Sequence, residues 1–68
     1  MRLDFNQKGS WKHALTFDER DQVFIEEDAA KLASTVECKA RIIGEIGEVV
    51  SYFEPGRGWY KPERQVKA

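Results

Sequence analysis

His13 and Cys38 are the side chains whose chemistry would come first to mind, because the chain has a single histidine and a single cysteine. A general base works on a nucleophile held beside it and is oriented by an acid behind it. The sequence supplies neither partner to His13. Its two-residue spacing from Trp11 and Leu15 places it in a strand-like alternation, as a packed or half-exposed structural histidine. Cys38 falls at an inward position of another alternating stretch, with Lys39 and Arg41 on the opposite parity. A thiol so placed behaves as a small hydrophobe. One Cys and one His cannot assemble the four ligands of a structural zinc site. Asp18, Glu19, Asp21, Glu26, Glu27 and Asp28 are rich in oxygen, yet they lack the alternating ligands and central glycine of a calcium loop and read as a solvated helix start. Gly56-Arg57-Gly58 is too short to cradle a phosphate, and no strand-glycine-helix succession surrounds it. No residue is therefore assigned to catalysis, a cofactor or a metal, and the chain is read as a protein that is not an enzyme. Ligand pockets run to about 300 Å³ or more, which a chain this short can hardly enclose alone.

One constellation remains. If residues 36–54 form a hairpin, Lys39, Arg41, Val50 and Tyr52 share its outer face, with Lys12 and Thr16 as neighbours from an earlier strand and Arg57, Trp59, Tyr60 and Lys61 following close behind. Exposed aromatics with an arginine are what protein interfaces favour. Protein association through this face and the aromatic tail, homodimerisation included, is the expected function. The alternative is single-stranded nucleic acid, held by Lys39, Arg41, Tyr52, Arg57, Trp59, Tyr60 and Lys61 through stacking and phosphate attraction. Glu37, Glu48 and Glu54 lie on the same face, and a sheet face of mixed charge is commonly just solvated.

The elements that would position these residues follow from periodicity. Residues 10–17 alternate, with Trp11, His13, Leu15 and Phe17 on one side, which predicts a half-buried strand. Gln7-Lys8-Gly9 is a turn, and the brief alternation of Arg2-Leu3-Asp4-Phe5 allows a short edge strand before it. A helix is predicted to start with Asp18 as N-cap. Ile25, Ala29, Leu32, Ala33 and Val36 form its apolar stripe, and Val23 and Phe24 fall off it. A competing reading makes residues 22–26 a second strand. Val36, Cys38, Ala40 and Ile42 alternate like a strand, although a helix running on through Ile43 also fits their spacing. Gly44-Glu45-Ile46-Gly47 is a hairpin turn that would set Ile42 beside Val49, Ala40 beside Ser51 and Cys38 beside Phe53. Pro55-Gly56 suits the centre of a type II turn, and Trp59-Tyr60 could add a last short strand.

The predicted class is α+β: a small antiparallel sheet with one helix packed on one face, approximately (β)βαββ. Its predicted core is Trp11, Leu15, Phe17, Ile25, Ala29, Leu32, Val36, Ile42, Val49 and Phe53. With 68 residues, 41% hydrophobic and 34% charged, this is one folded domain, residues 61–68 forming a frayed tail. So short a chain buries only about 60% of the surface it exposes when unfolded. A lone cysteine offers no intramolecular disulfide, so self-association is the remaining support. Net charge is -1, which gives no global attraction to nucleic acid or anionic lipid. The charge is nevertheless segregated, with an acidic middle and a basic tail. No apolar run reaches the roughly 20 residues that span a bilayer, and the first residues lack the apolar stretch of a signal peptide. A cytoplasmic protein without membrane association is expected.

Gly9-Ser10-Trp11-Lys12, Leu15-Thr16-Phe17-Asp18 and Gly58-Trp59 give the chain a resemblance, spread over most of its length, to short proteins carried by phages and prophages of proteobacteria. That group has no assigned activity. The resemblance implies a regulatory or host-interaction module in preference to a metabolic enzyme, and it carries over no functional residue.

Overall fold

Lys8 and Gly9 both adopt positive φ, 54° and 83°, as the two central residues of a type I′ hairpin turn must. The turn joins β1 (Arg2–Gln7) to β2 (Ser10–Thr16). The computed structural model describes residues 1–62, so the expected tail lies outside them from residue 63 onward. After β2, a single 3-10 turn (Glu19–Asp21) leads into α1 (Gln22–Val36). A three-strand meander follows: β3 (Lys39–Ile43), β4 (Val49–Glu54) and β5 (Gly58–Tyr60). The strands form one sheet in the order β2-β1-β3-β4-β5, with every neighbouring pair antiparallel. The expected α+β architecture is present, with five strands and one α-helix on one face among the described residues. No helix among the described residues is long and apolar enough to cross a membrane.

The first strand, expected at an edge, lies inside the sheet, second in the order. It pairs with β2 on one side and β3 on the other. Leu3 and Asp4 are consecutive and so point to opposite faces, yet both are buried. A strand covered on both faces belongs in the middle of a sheet.

Two rungs define the side under the helix: Leu15–Leu3–Ile42–Ser51, and Lys12–Phe5–Ala40–Phe53–Trp59. Leu3, Ala40, Ile42 and Phe53 from these rungs join Ala29 and Ala33 of α1 in the buried cluster. Met1, Phe5, Phe17, Ile25, Ala30, Cys38, Val50 and Trp59 pack around it. Among the described residues, Ile42 is the one large side chain buried completely. Helix and sheet meet at Ala29, Ala33 and Ala40, so the backbones approach closely and little apolar volume separates them.

The expected core needs four kinds of correction. Trp11 lies on the opposite face, because a bulge between Leu3 and Asp4 leaves Ala14 unpaired and reverses the parity of β2 at that point. Leu15 is on the helix side but exposed, since α1 packs over β3, β4 and β5 and leaves β2 uncovered. Leu32 and Val36 flank the buried stripe and are exposed for the same reason. Val49 pairs with Ile43, which is of opposite parity to the inward Ile42.

The hairpin turn closes about Glu45-Ile46 as expected, with the Gly47 N–H donating to the Gly44 carbonyl at 3.1 Å. Its register is nevertheless displaced. Gly47, at φ 89°, adds one residue before pairing resumes at Ile43–Val49, and an irregularity between Ile42 and Ile43 adds another. Ile42 therefore sits opposite Ser51 and Ala40 opposite Phe53, instead of Val49 and Ser51. A slip of one residue exchanges the faces of a strand, and two slips restore them. Ser51 and Phe53 thus keep the predicted face although every predicted partner is wrong.

The helix alternative for residues 36–43 and the strand alternative for 22–26 are both absent. α1 takes up Gln22 through Val36. The N-cap is displaced as well: Asp18 starts the 3-10 turn, and its side chain makes no cap hydrogen bond. Glu37 ends α1 in the left-handed conformation, φ 55° and ψ 54°, and the Cys38 N–H donates to the Ala33 carbonyl at 3.0 Å. That closure is usually given to glycine. Pro55-Gly56 makes the expected turn, with the Arg57 N–H donating to the Glu54 carbonyl at 2.9 Å.

The left-handed conformation costs a non-glycine residue about 1–2 kcal/mol, against the 0.4–1 kcal/mol or so of extra chain entropy that glycine releases on unfolding. Glu37→Gly is therefore expected to stabilise the domain by about 0.5 kcal/mol. Urea denaturation should show a higher midpoint with an unchanged slope.

Candidate functional site

Asp4 is a carboxylate on an interior strand of the sheet, on the face away from the helix, with only 3% of its surface exposed. A buried charge persists only when paired and hydrogen-bonded. The pairing comes from both sides. The Arg41 Nε donates to its Oδ2 at 3.1 Å and the Arg2 Nε to its Oδ1 at 3.2 Å. The two arginines are held by register, Arg41 directly across from Asp4 on β3 and Arg2 two residues earlier on β1.

The same rung crosses all five strands: His13–Asp4–Arg41–Tyr52–Tyr60. One residue of alternation away, Trp11 lies across from Asn6, which lies across from Lys39. The rings form a continuous row. Trp11 and Tyr52 have centroids 6.4 Å apart, and Tyr52 and Tyr60 stack at 5.9 Å with planes 28° apart. Guanidinium groups cap both ends: Arg41 Cζ lies 4.2 Å from the Trp11 ring centroid and Arg57 Cζ 3.7 Å from that of Tyr60. Arg41 thus holds Asp4 through its Nε while its plane covers Trp11. The Tyr60 hydroxyl donates to Glu54 at 3.0 Å. Its pKa is raised, first by loss of water around it and then by that hydrogen bond and the Glu54 charge, with Arg57 opposing.

Of the residues expected on the interaction surface, Lys39, Arg41, Tyr52, Arg57 and Tyr60 are brought together on this face. Three are elsewhere. Val50 packs against the hydrophobic cluster, because the irregularity in β4 leaves it out of the ladder. Trp59 pairs with Phe53 on the helix side; its ring lies 5.3 Å from that of Phe53, and its Nε1–H donates to the Glu26 carbonyl at 2.8 Å. A tryptophan so anchored is a structural residue. Lys61 is exposed beside the crevice between β5 and α1, with Gln22, Glu26 and Trp59. Of the two proposed neighbours from β2, Thr16 is on the open face and Lys12 is on the helix side.

Trp11, His13, Arg2 and Asp4 belong to the face and were missed. The first two share a parity with Leu15 in the sequence, and only the bulge separates them from it. Asp4 had a signal, an acid between Leu3 and Phe5 in an alternating run, which marks a strand with a polar outer side.

Neither candidate for chemistry gains a catalytic setting. The His13 Nε2 lies 3.2 Å from the Thr16 hydroxyl on the exposed face, so its side-chain partner is a neutral group three residues on. Burial raises the Cys38 pKa, which keeps the thiol protonated and poorly nucleophilic.

Removing Asp4 would leave Arg41 and Arg2 without their counter-charge. Breaking a fully buried pair costs about 3–5 kcal/mol; here the Arg2 side chain is 48% exposed and Arg41 keeps its contact with Trp11. Asp4→Ala is expected to cost about 2 kcal/mol, toward the hydrogen-bond end of that scale, and Asp4→Asn less. Urea melts of the two variants against the parent chain measure both.

Comparison with known proteins finds no family model, no curated protein and no solved structure that matches this chain.

Proposed function

We propose that this domain is a non-catalytic binding module that docks an acidic protein surface on the open face of its sheet. The observation that carries the reading is the placement of Arg41 and Arg57 on the ring faces of Trp11 and Tyr60. Stacking fixes each guanidinium plane, and a fixed fork of N–H donors matches a carboxylate bidentately with little further loss of side-chain freedom. The three rings between them supply flat, rigid contact area at low entropic cost, in the composition that binding hot spots favour.

Charge selects the partner. Arg2, Lys39, Arg41 and Arg57 lie on this face against Asp4 and Glu54, and both carboxylates are already engaged within the domain. Two copies meeting open face to open face would set like charges together, so self-association through this surface is opposed. An acidic partner is complementary. A module of this kind is also what the resemblance to phage- and prophage-encoded proteins implies.

Single-stranded nucleic acid is the second reading, and the same cation excess favours it. Guanidinium planes can themselves stack bases. Against it, one face of Trp11 and one of Tyr60 are already taken by guanidinium groups, and a net charge of -1 gives no global attraction to a polyanion.

Two measurements separate the readings. In affinity capture, a protein partner is expected whose recovery falls about 10- to 100-fold with Tyr52→Ala or Arg57→Ala and is unchanged by Val23→Ser on the exposed side of α1. Recovery insensitive to both open-face changes would defeat the proposal. Anisotropy titration of a labelled 15-nucleotide single strand should show no binding at about 50 mM salt; binding there that falls steeply by about 200 mM would select nucleic acid instead.

A further inference from the structure

The helix leaves a second surface uncovered, on the side of the sheet opposite the aromatic row. α1 packs over β3, β4 and β5, so β2 is exposed along its whole length except at Trp11. Gln22 and Glu26 line the crevice on the β5 side of α1. At 100° per residue, with Ala29 and Ala33 turned to the sheet, Leu32 and Asp28 lie on the other flank, on the side of the β1–β2 hairpin, whereas Phe24 points away from the sheet. Val36, one turn further, shares a groove of about 740 Å³ with Lys12, Lys8 and Asn6. The exposed apolar side chains of this region are large: Leu15 is 38% exposed, Val36 51% and Leu32 53%.

We propose that this trough between α1 and the β1–β2 hairpin is the interface of a two-fold symmetric homodimer, in which the hairpin flank of each copy rests on the helix flank of the other. The occupant is identified by charge. The hairpin bank carries Lys12 and the helix bank Asp28, and neither takes part in an ion pair among the described residues. A two-fold axis that sets Leu15 of one copy on Leu32 of the other also sets Lys12 near Asp28, and every contact occurs twice. An extended sheet through β2 is a poorer arrangement, because the bulge at Ala14 and the helix-side Lys12 are devices that block edge-to-edge pairing. A polyanion is excluded by Asp28 on the helix bank.

The domain also has reason to need the cover. The only buried residues of α1 are Ala29 and Ala33, and chains below about 70–80 residues often obtain from oligomerisation what a small core does not supply.

The test is sedimentation of the full chain from low concentration up to roughly 500 µM, a range that spans micromolar dissociation constants. The parent chain is expected to dimerise, and Leu32→Glu and Leu15→Glu to sediment as monomers; circular dichroism should match the parent, because both side chains are already exposed. Lys12→Glu and Asp28→Lys are each expected to weaken the dimer about 10-fold or more, since each places like charges at both symmetric contacts. An equimolar mixture of those two variants restores both pairs and should form a 1:1 heterodimer. Tyr52→Ala should dimerise like the parent, which keeps this interface distinct from the open face. A parent chain that stays monomeric throughout would overturn the proposal. So would a dimer that survives both leucine changes or dissociates with Tyr52→Ala, or a variant mixture that stays monomeric.

Discussion

The pairing of β1 with β3 joins two halves of the chain that would otherwise be separate ribbons. The Asp4–Arg41 contact within it spans 37 residues, and closing so long a loop is costly before any contact is made. What offsets that cost is two-sided. Leu3 meets Ile42 beneath the helix, Phe5 meets Ala40, and between them Asp4 meets Arg41 on the other face. An isolated hairpin is marginal in water; hairpin and meander become one sheet only through this seam.

On the helix side the seam is narrow. Alanines at 29, 33 and 40 let α1 lie close to the sheet, over Ile42 and Phe53. Close approach excludes water efficiently, but it limits the area that one 15-residue helix can cover. The exposed flank of α1 and the bare side of β2 have this one geometric origin. Trp59 closes the opposite end, its ring on Phe53 and its N–H on the helix backbone, and so ties the short last strand to α1.

On the open side, electrostatics organise what packing does not. A carboxylate with 3% exposure would be costly alone; two guanidinium groups make it tolerable, and one of them is itself held against Trp11. Folding therefore leaves Arg41 ordered before any partner arrives.

Local periodicity made much of this legible. The stripe of Ile25, Ala29 and Ala33, the exposure of Val23 and Phe24, the turns at Glu45-Ile46 and Pro55-Gly56, and the common face of Ala40, Ile42, Ser51 and Phe53 all follow from spacings of two, three or four residues, which any neighbouring segment would respect. The aromatic row did not follow. Trp11 joined it and Val50 left it because bulges add single residues, and each added residue turns the side chains beyond it to the other face at a cost too small to read from composition. The interior place of β1 and the anchoring of Trp59 depended on partners more than 30 residues away. Side-chain alternation is a property of the chain alone, whereas the face that each alternation presents is chosen by pairing across the sheet, where burial of Leu3 against Ile42 and neutralisation of Asp4 by Arg41 outweigh every local preference.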